Sequence, residues 1–329
     1  MPTLGGPVVV VGSINMDLVC RTREIPRPGE TILGTDFVTI SGGKGANQAV
    51  AAAKLARGGN GNSGNKPVPV YMVGRVGEDD FGERLLNGLV QHKVDTRFVT
   101  VTEGVPSGVA MILVNRGGEN SIVVAPGANA RLAPRDVDAA EGIIATASAV
   151  VMQLEIPHET VQHTIAMCQR LGVCTILDPA PADAKLPRVM MGVDVLTPNQ
   201  LEAEALLGLE QSVLTKTRRK VIDPKQIGMD LLARGPKAVV LKLGKKGAML
   251  VGRDGEIELV RGFDVDVTDT TAAGDAFTAA LAIAHQEQMD WPAALRFANA
   301  AGALACQNFG AQPSLPARDA VEKLMKAKV

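Results

Sequence analysis

The sequence predicts an α/β fold with a doubly wound, mostly parallel sheet and helices on both of its faces. Short, continuously apolar runs recur along the chain, and stretches of helical length separate them. The carboxyl ends of these runs carry polar groups, as the strands of ligand-binding α/β sheets do. Two further stretches lack a helical period: 18–40 combines loop and short strand, and 97–125 alternates like antiparallel strands around a turn. They predict a small second sheet outside the main body.

Composition limits the class of protein. The 329 residues, 46% of them hydrophobic, predict a globular chain that buries a sizeable core. The formal net charge of −1 offers no electrostatic footprint for nucleic acid or an anionic membrane. Four cysteines show neither a C-x-x-C pair nor metal-ligand spacing, which favours reduced thiols. With no signal-peptide pattern and no apolar run near about 18 residues, we expect a cytoplasmic protein.

The first predicted strand, Pro7–Gly12, is followed at once by polar residues. Asn15 and Asp17 place an amide and a carboxylate on the same side of an extended backbone. This pair suits sugar hydroxyls, which both donate and accept hydrogen bonds. Ordinary turn chemistry is the alternative interpretation, since Asn and Asp favour turns.

A second motif, Ser41–Gln48, opens an alanine-rich helix that is predicted to end at Leu55. Gly42 and Gly43 would let a ligand approach the backbone closely, while Lys44 and Asn47 supply donors of fixed reach. A flexible turn is the alternative. The motif is not a Walker A loop, because no G-x-x-x-x-G-K-[ST] string occurs in the chain.

Beyond Asn129, buried strand and helix alternate regularly. Strands are predicted at 149–154, 174–177, 193–196 and 238–243. Polar groups again follow their carboxyl ends, where we expect them to meet: Glu155, Asp178, Asn199 with Glu202, and Lys242 with Gly244.

The stretch 269–275 carries the strongest chemical signal. A predicted strand at 264–268 runs into a small-residue turn, and an apolar helix follows from Ala276 to about His285. The N–H groups of Ala272, Ala273 and Gly274 can point at one anion, helped by the helix dipole. Asp275 at the mouth of this anion hole could accept a proton from an alcohol that attacks a phosphate. A turn closed by an Asp N-cap is the alternative.

Together these segments resemble the phosphofructokinase-B-type carbohydrate kinases, and within them the ribokinase branch. The matching motifs occur in order over nearly the whole chain: 12–17, 41–48, 74–82, 106–112, 153–157, 197–199 and 269–275. The resemblance implies transfer of the ATP γ-phosphoryl group to the 5-hydroxyl of ribose, with Mg²⁺ and K⁺ as cofactors. It further implies one ribokinase-like domain over 1–329, with a small antiparallel β lid from 18–40 and 97–125 that pairs two subunits into a homodimer.

The resemblance also assigns roles to residues. Asp275 is the implied base and Ala272, Ala273 and Gly274 the anion hole. The implied ribose ligands are Asn15, Asp17, Gly42, Gly43, Lys44, Asn47, Glu155 and Asp275. The implied nucleotide contacts are Asn199, Glu202, Lys242, Gly244, Gly274 and Asn299, with Glu202 near the magnesium-bound phosphates. The implied monovalent-cation cage comprises Asp269, Thr271, Ala305, Asn308, Gly310 and Ser314, all of which offer oxygen ligands to a hard cation.

The chain departs from the family pattern in a few places. Lys242 stands where a smaller hydroxyl residue is expected, and insertions at 57–69 and 211–225 have no assigned role. Two alternative functions remain at this stage. One is a kinase for another sugar or a nucleoside, which the matches around Asn15, Lys44 and Glu155 disfavour. The other is a non-catalytic sugar sensor on a kinase scaffold, which the intact Gly274 and Asp275 disfavour.

Overall fold

A computed structural model describes residues 5–56, 68–182, 186–209, 223–253 and 255–327. The predicted insertions are 57–69 and 211–225, and their residues 57–67 and 211–222 lie outside the described residues. The described strands are β1 Val8–Val11, β2 Asn15–Arg21, β3 Asp36–Gly42, β4 Val70–Gly77, β5 Val94–Thr102, β6 Gly108–Val114, β7 Asn120–Ala125, β8 Ala149–Met152, β9 Cys174–Leu177, β10 Val195–Leu196, β11 Ala238–Lys242, β12 Ala248–Gly252 and β13 Ile257–Val260. The described helices are α1 Lys44–Leu55, α2 Asp80–Gln91, α3 Pro134–Asp138, α4 Glu141–Ile144, α5 His158–Leu171, α6 Gln200–Leu206, α7 Pro224–Leu232, α8 Ala273–Gln286, α9 Trp291–Ala305, α10 Ala311–Ser314 and α11 Arg318–Lys326.

The larger sheet has the strand order β13-β12-β11-β10-β9-β8-β1-β4-β5. All pairings from β11 across to β5 are parallel, while β12 and β13 complete one edge as antiparallel strands. The four valines of β1 are wholly buried because helices cover both faces of the sheet. The prediction of a doubly wound, mostly parallel sheet is therefore confirmed.

Alternate residues of β1 enter two different cores, one on each face of the sheet. Val8 and Val10 belong to the core that contains residues of α1, α8 and α9, and Val9 and Val11 belong to the core that contains residues of α5, α6 and α7. On the first face α8 lies against both α1 and α9, and all three helices are rich in buried alanine. Small side chains let these helices approach each other closely. As a result, the start of α8 is held next to the start of α1.

The smaller sheet, which we call the lid sheet, consists of β3, β2, β6 and β7 in that order. Its β2/β3 and β6/β7 pairs are antiparallel, but β2 and β6 run parallel, so the sheet is mixed. The predicted lid segment 97–125 needs a correction, since 97–102 belong to β5 of the large sheet. An edge strand with one exposed face shows the same alternation as a lid strand, and the sequence alone does not separate them.

The chain after β13 also differs from the prediction. Residues 264–268 form no strand, although their β-branched and acidic pattern indicated one. Instead, the backbone N–H groups of Thr268 and Asp269 both donate to the carbonyl of Cys306, just beyond α9. Strand propensity produces a strand only where a partner edge is available. This segment crosses the end of the sheet and lines a cavity.

None of the described helices has the length and apolar composition that a membrane-crossing helix requires.

The packing of α1 leads to a stability prediction. Leu55 at the end of α1 is fully buried, so Leu55→Ala leaves a cavity and should lower the free energy of unfolding by roughly 2–5 kcal/mol. Leu201 in α6 is 64% exposed, and Leu201→Ala should change it by less than about 0.5 kcal/mol. Urea unfolding of both variants checks this pair. Equal destabilisation would contradict the description of the α1 core.

Candidate active site

A cavity of about 830 Å³ lies between the lid sheet and the carboxyl ends of the large sheet's parallel strands. The lid contributes apolar side chains, among them Ala110, Ile112 and Val124. Most of the predicted site residues line this cavity: Asn15, Asp17, Gly43, Lys44, Asn47, Glu155, Asn199, Glu202, Lys242, Gly244, Thr271, Ala272, Ala273, Gly274, Asp275 and Asn299. Gly42, Asp269, Ala305, Asn308, Gly310 and Ser314 are not part of its lining.

The first turn of α8 forms one wall of the cavity. Ala272, the residue before the helix, adopts a left-handed conformation with φ of 60°. The N–H of Ala273, which was predicted to belong to the anion hole, instead donates to the carbonyl of Thr270 at 3.3 Å. Because Gly274 and Asp275 lie in the first turn, their N–H groups have no helical carbonyl four residues back. An anion in the cavity would therefore meet free donors and the positive end of the helix dipole.

Asp275 is a buried carboxylate next to these donors, with only 5% of its surface exposed. Two amides of α1 hold it: Asn47 Nδ2 donates to Oδ2 at 2.9 Å and Gln48 Nε2 donates to Oδ1 at 3.0 Å. The pKa of the Asp275 carboxyl is raised to about 6, chiefly by burial and also by the charge of Asp178, against the opposing charge of Lys44 and the hydrogen bonds from Asn47 and Gln48. Near neutral pH Asp275 is thus ionised, oriented and close to its pKa, which suits a general base.

Gln48 extends this network to a second carboxylate. Its Nε2 also donates to Asp178 Oδ2 at 2.9 Å, and its Oε1 accepts from Gln153 Nε2 at 2.6 Å. Asp178 Oδ1 in turn pairs with Lys242 Nζ at 2.8 Å. The position of Asp178 after a buried strand indicated its place in the site. Gln48 and Gln153 carried no such signal, since their partners lie far away in the sequence.

Three groups converge on Glu155, which follows β8. Ser13 Oγ donates to Glu155 Oε2 at 2.6 Å, and the backbone N–H of Lys44 and the amide of Asn15 lie at 3.3 and 3.5 Å from the same oxygen. Asn129 fixes Asn15 by donating to its Oδ1 at 2.7 Å and by bonding the backbone of Ile14. Asn129 follows β7 and was not predicted, because nothing in its local sequence distinguishes it from a turn residue.

Gly42 and Gly43 are required by the protein's own packing. A Cβ on Gly42 would collide with the carboxylate of Asp17. Gly43 has φ of 85°, and a Cβ there would lie 2.6 Å from the backbone nitrogen of Asn15. The sequence predicted that a ligand would approach the backbone closely at these glycines. In the structure it is the protein's own chain that does so, which brings β2, β3 and α1 together at the cavity.

Neighbouring carboxylates shift the pKa of both Asp17 and Lys44. Burial raises the pKa of Asp17 to about 7, and the charges of Glu155 and Asp275 add to this effect. Burial lowers the pKa of the Lys44 ammonium, but Asp275, Asp178 and Glu155 outweigh that effect and the pKa is raised overall. Lys44 therefore stays charged among carboxylates and partly balances them.

Asn199 and Glu202, which also line the cavity, form a capping box at the start of α6. Glu202 N–H donates to Asn199 Oδ1 at 2.9 Å, and Asn199 N–H donates to Glu202 Oε2 at 2.7 Å. Burial raises the pKa of Glu202, against the opposing charge of Lys242. Glu202 and Asp178 both bring carboxylates to the cavity lining, and proteins hold magnesium through one or two carboxylates together with substrate phosphates.

Three of the predicted monovalent-cation residues, Asp269, Thr271 and Gly310, are joined by hydrogen bonds. Asp269 Oδ1 accepts from the N–H of Thr271 at 3.0 Å and from its hydroxyl at 2.7 Å, while Oδ2 accepts from the N–H of Gly310 at 2.9 Å. The carboxylate thereby joins the loop before α8 to the loop after α9. The Thr271 hydroxyl is an oxygen ligand of the kind that suits a hard cation, and three of the Asp269 carboxylate's acceptor positions are already used.

An anion-binding helix start beside an ionised, buried carboxylate is the arrangement of a phosphoryl-transfer enzyme. The family profile described as pfkB family carbohydrate kinase matches residues 7–318. The chain is 38% identical to the ribokinase of Bacillus subtilis over 97% of this chain and 99% of that protein. It is 34% identical to the deoxyribokinase of Salmonella typhi over 94% of this chain and 95% of that protein. The structure of Arabidopsis thaliana ribokinase complexed with ribose and ATP superposes with a TM-score of 0.85, at 34% identity and full coverage of both chains. The chain belongs to the pfkB family of carbohydrate kinases.

The raised pKa of Asp275 predicts a pH dependence. The base accepts a proton only when it is ionised, so kcat/KM for the sugar should fall about tenfold for each pH unit below about 6. Initial rates between pH 5 and 8 at constant ionic strength measure this. Asp17→Asn serves as the matched control, because it removes another carboxyl of the cavity with a raised pKa and should leave the acid limb in place. A flat profile in the parent enzyme would contradict the role of Asp275.

Proposed function

We propose that the protein transfers the γ-phosphoryl group of ATP to the 5-hydroxyl of D-ribose. The observation that carries the proposal is the position of Asp275, between the free N–H groups of α8 and the polar side chains around Glu155. The relatives named ribokinase, one of them complexed with ribose and ATP, support ribose as acceptor and ATP as donor. The deoxyribokinase relative makes deoxyribose the nearest competing acceptor.

Ribose binds on the side of the cavity formed by β2, α1 and the end of β8. Asn15, Asp17 and Glu155 offer the acceptors, and Lys44 and the amides offer the donors, that hydroxyl groups require. Gly42 and Gly43 keep this wall thin enough for the side chain of Asp17 to reach the cavity. The sugar is thereby oriented with one hydroxyl towards Asp275.

Asp275 accepts the proton of that hydroxyl as the oxygen bonds to the γ-phosphorus atom, while the bond from that phosphorus to the β,γ-bridging oxygen breaks and ADP leaves. Asn47 and Gln48 hold the carboxylate oxygens in place, so the base needs no reorganisation when the reaction occurs. The N–H groups of Gly274 and Asp275 donate to the oxygens of the transferred group, where negative charge is concentrated. The apolar lid residues Ala110, Ile112 and Val124 help to exclude water, which would otherwise compete as the acceptor.

The nucleotide lies towards α6 and α9, along Asn199, Gly244 and Asn299. Asn299 is itself oriented by donating to the carbonyl of Val260 at 3.0 Å. Glu202 and Asp178 would hold the magnesium ion, directly or through water. When bound, magnesium supplies positive charge that neutralises the phosphate oxygens.

We also propose that two copies of the chain form a homodimer through their lid sheets. Met111 and Val123 are 48% and 62% exposed, and unlike Ala110, Ile112, Ile122 and Val124 they do not line the cavity. Burying such apolar side chains against a second lid would be favourable.

The test is an ADP-formation assay with ATP and a panel of acceptors: ribose, 2-deoxyribose, fructose 6-phosphate and adenosine. We expect the highest kcat/KM with ribose. Asp275→Asn is the matched variant and should lower kcat by roughly 10²–10⁴ while the KM for ribose changes little, because the amide keeps the shape and loses the base. A preference for deoxyribose or adenosine would reassign the substrate. Ribose binding without turnover in the parent chain would favour the sensor.

A monovalent cation between the Asp269 and Gly310 loops would order the turn that presents Gly274, and would therefore act on turnover. We expect potassium to raise kcat several-fold over sodium at constant ionic strength, and Asp269→Ala to abolish the difference. The matched control Asp266→Ala, an exposed carboxylate on the same segment, should keep it. Equal rates in the two salts would remove the cation from the proposal and leave phosphoryl transfer intact.

A further inference from the structure

We propose that the ammonium group of Lys242 binds the phosphoryl group that is transferred, while it remains paired with Asp178. The inference rests on the phosphoryl-transfer function proposed above. It assigns a role to the one nucleotide-site position at which the chain departs from the pattern of the family that it resembles.

The backbone fixes where the Lys242 side chain begins. Lys242 is the last residue of β11, its N–H donates to the carbonyl of Pro198 at 2.9 Å, and it forms an isolated parallel bridge with Asn199. The side chain therefore starts at the carboxyl end of the sheet, where it lines the cavity.

The ammonium group lies beside the anion site of α8. A Cβ built on Gly274 would be 3.3 Å from Lys242 Nζ, so the charge lies over the first turn of the helix. That turn presents the free N–H groups of Gly274 and Asp275. An oxyanion bound to them would thus be within reach of the Lys242 ammonium as well.

Asp178 holds the ammonium group in this position. Nζ lies 2.8 Å from Asp178 Oδ1, and the two side chains are 12% and 2% exposed. The other oxygen of Asp178 accepts from Gln48, which also holds Asp275. A buried ion pair contributes little net stability, since desolvation offsets the attraction. An ammonium group has three N–H donors, so it can keep Asp178 with one and donate to a phosphate with the others.

The cavity lining has more carboxylates than ammonium groups, so a phosphate that binds there needs a positively charged donor. Among the described residues that line it, six carboxylates face three ammonium groups: Asp17, Glu155, Asp178, Glu202, Asp264 and Asp275 against Lys44, Lys242 and Lys245. A nucleoside triphosphate adds further negative charge. Lys44 is surrounded by Asp275 and Glu155 on the sugar side, and Lys245 is exposed. Lys242 is the ammonium group placed at the junction of α8 and the nucleotide wall.

The test compares nucleotides that have and lack the γ-phosphoryl group. Binding of a non-hydrolysable ATP analogue and of ADP, each with magnesium and without sugar, is measured by calorimetry for the parent, Lys242→Met, Lys242→Arg and Lys246→Met. We expect Lys242→Met to weaken the analogue about tenfold or more and ADP by less than about threefold, because ADP lacks the contacted group. Lys242→Arg should weaken binding of the analogue less than Lys242→Met does. The matched control Lys246→Met, on the exposed turn after β11, should match the parent.

A double variant separates phosphate binding from simple neutralisation of Asp178. If Lys242 only neutralises Asp178, then Lys242→Met/Asp178→Asn should bind the analogue as well as Asp178→Asn does, and this recovery would overturn the proposal. We expect the double variant to stay about tenfold weaker than Asp178→Asn. The double variant leaves neither charge unpaired, so it carries the test if Lys242→Met alone does not fold. Equal weakening of ADP and the analogue, or unchanged binding by Lys242→Met, would also overturn the proposal. Because no sugar is present, an error in the ribose assignment leaves these outcomes unaffected.

Discussion

The ionised carboxylate of Asp275 is the constraint on which the rest of the site depends. A buried charge is costly unless hydrogen bonds and opposite charges compensate it, and here Asn47, Gln48 and Lys44, all from α1, do so. This explains why α1 and α8 begin side by side and why both are rich in alanine, which permits close packing. The compensation is incomplete, so the pKa of Asp275 remains raised to about 6. This pKa suits the role of general base that we propose for Asp275.

The parallel sheet supplies the other half of the site by bringing distant segments to one edge. Glu155, Asp178, Asn199 and Lys242 each come at or just after the carboxyl end of a strand, and neighbouring parallel strands end together. The charge of Glu155 adds to the burial that raises the pKa of Asp17, and Asp178 and Glu155 help to keep Lys44 charged. A cavity with this excess of negative charge requires cations before it can accept a polyphosphate. Under the proposals above, magnesium and the ammonium of Lys242 would both supply that positive charge.

The lid sheet and the loops behind α8 are also in contact. Arg21 at the end of β2 stacks over the ring of Phe309 with 4.5 Å from its guanidinium carbon to the ring centroid, and Phe309 lies next to Gly310, whose N–H bonds Asp269. Asp269 in turn fixes Thr271, one residue before the left-handed Ala272. A strand of the lid sheet is therefore linked through a few contacts to the turn that begins α8.

The sequence by itself determined the elements whose signal is local. The apolar runs of β1, β8, β9 and β11, the alanine-rich α1 and the small-residue start of α8 all depend on neighbouring residues, and so do the polar groups at the strand ends. Pairing partners were decided only by the tertiary structure. Residues 97–102 joined the large sheet, 264–268 formed no strand, and β12 and β13 were missed, because propensity does not specify which edge a strand will meet. Gln48, Gln153 and Asn129 were missed for the same reason: each acts through hydrogen bonds to residues more than a hundred positions away, which no local pattern encodes.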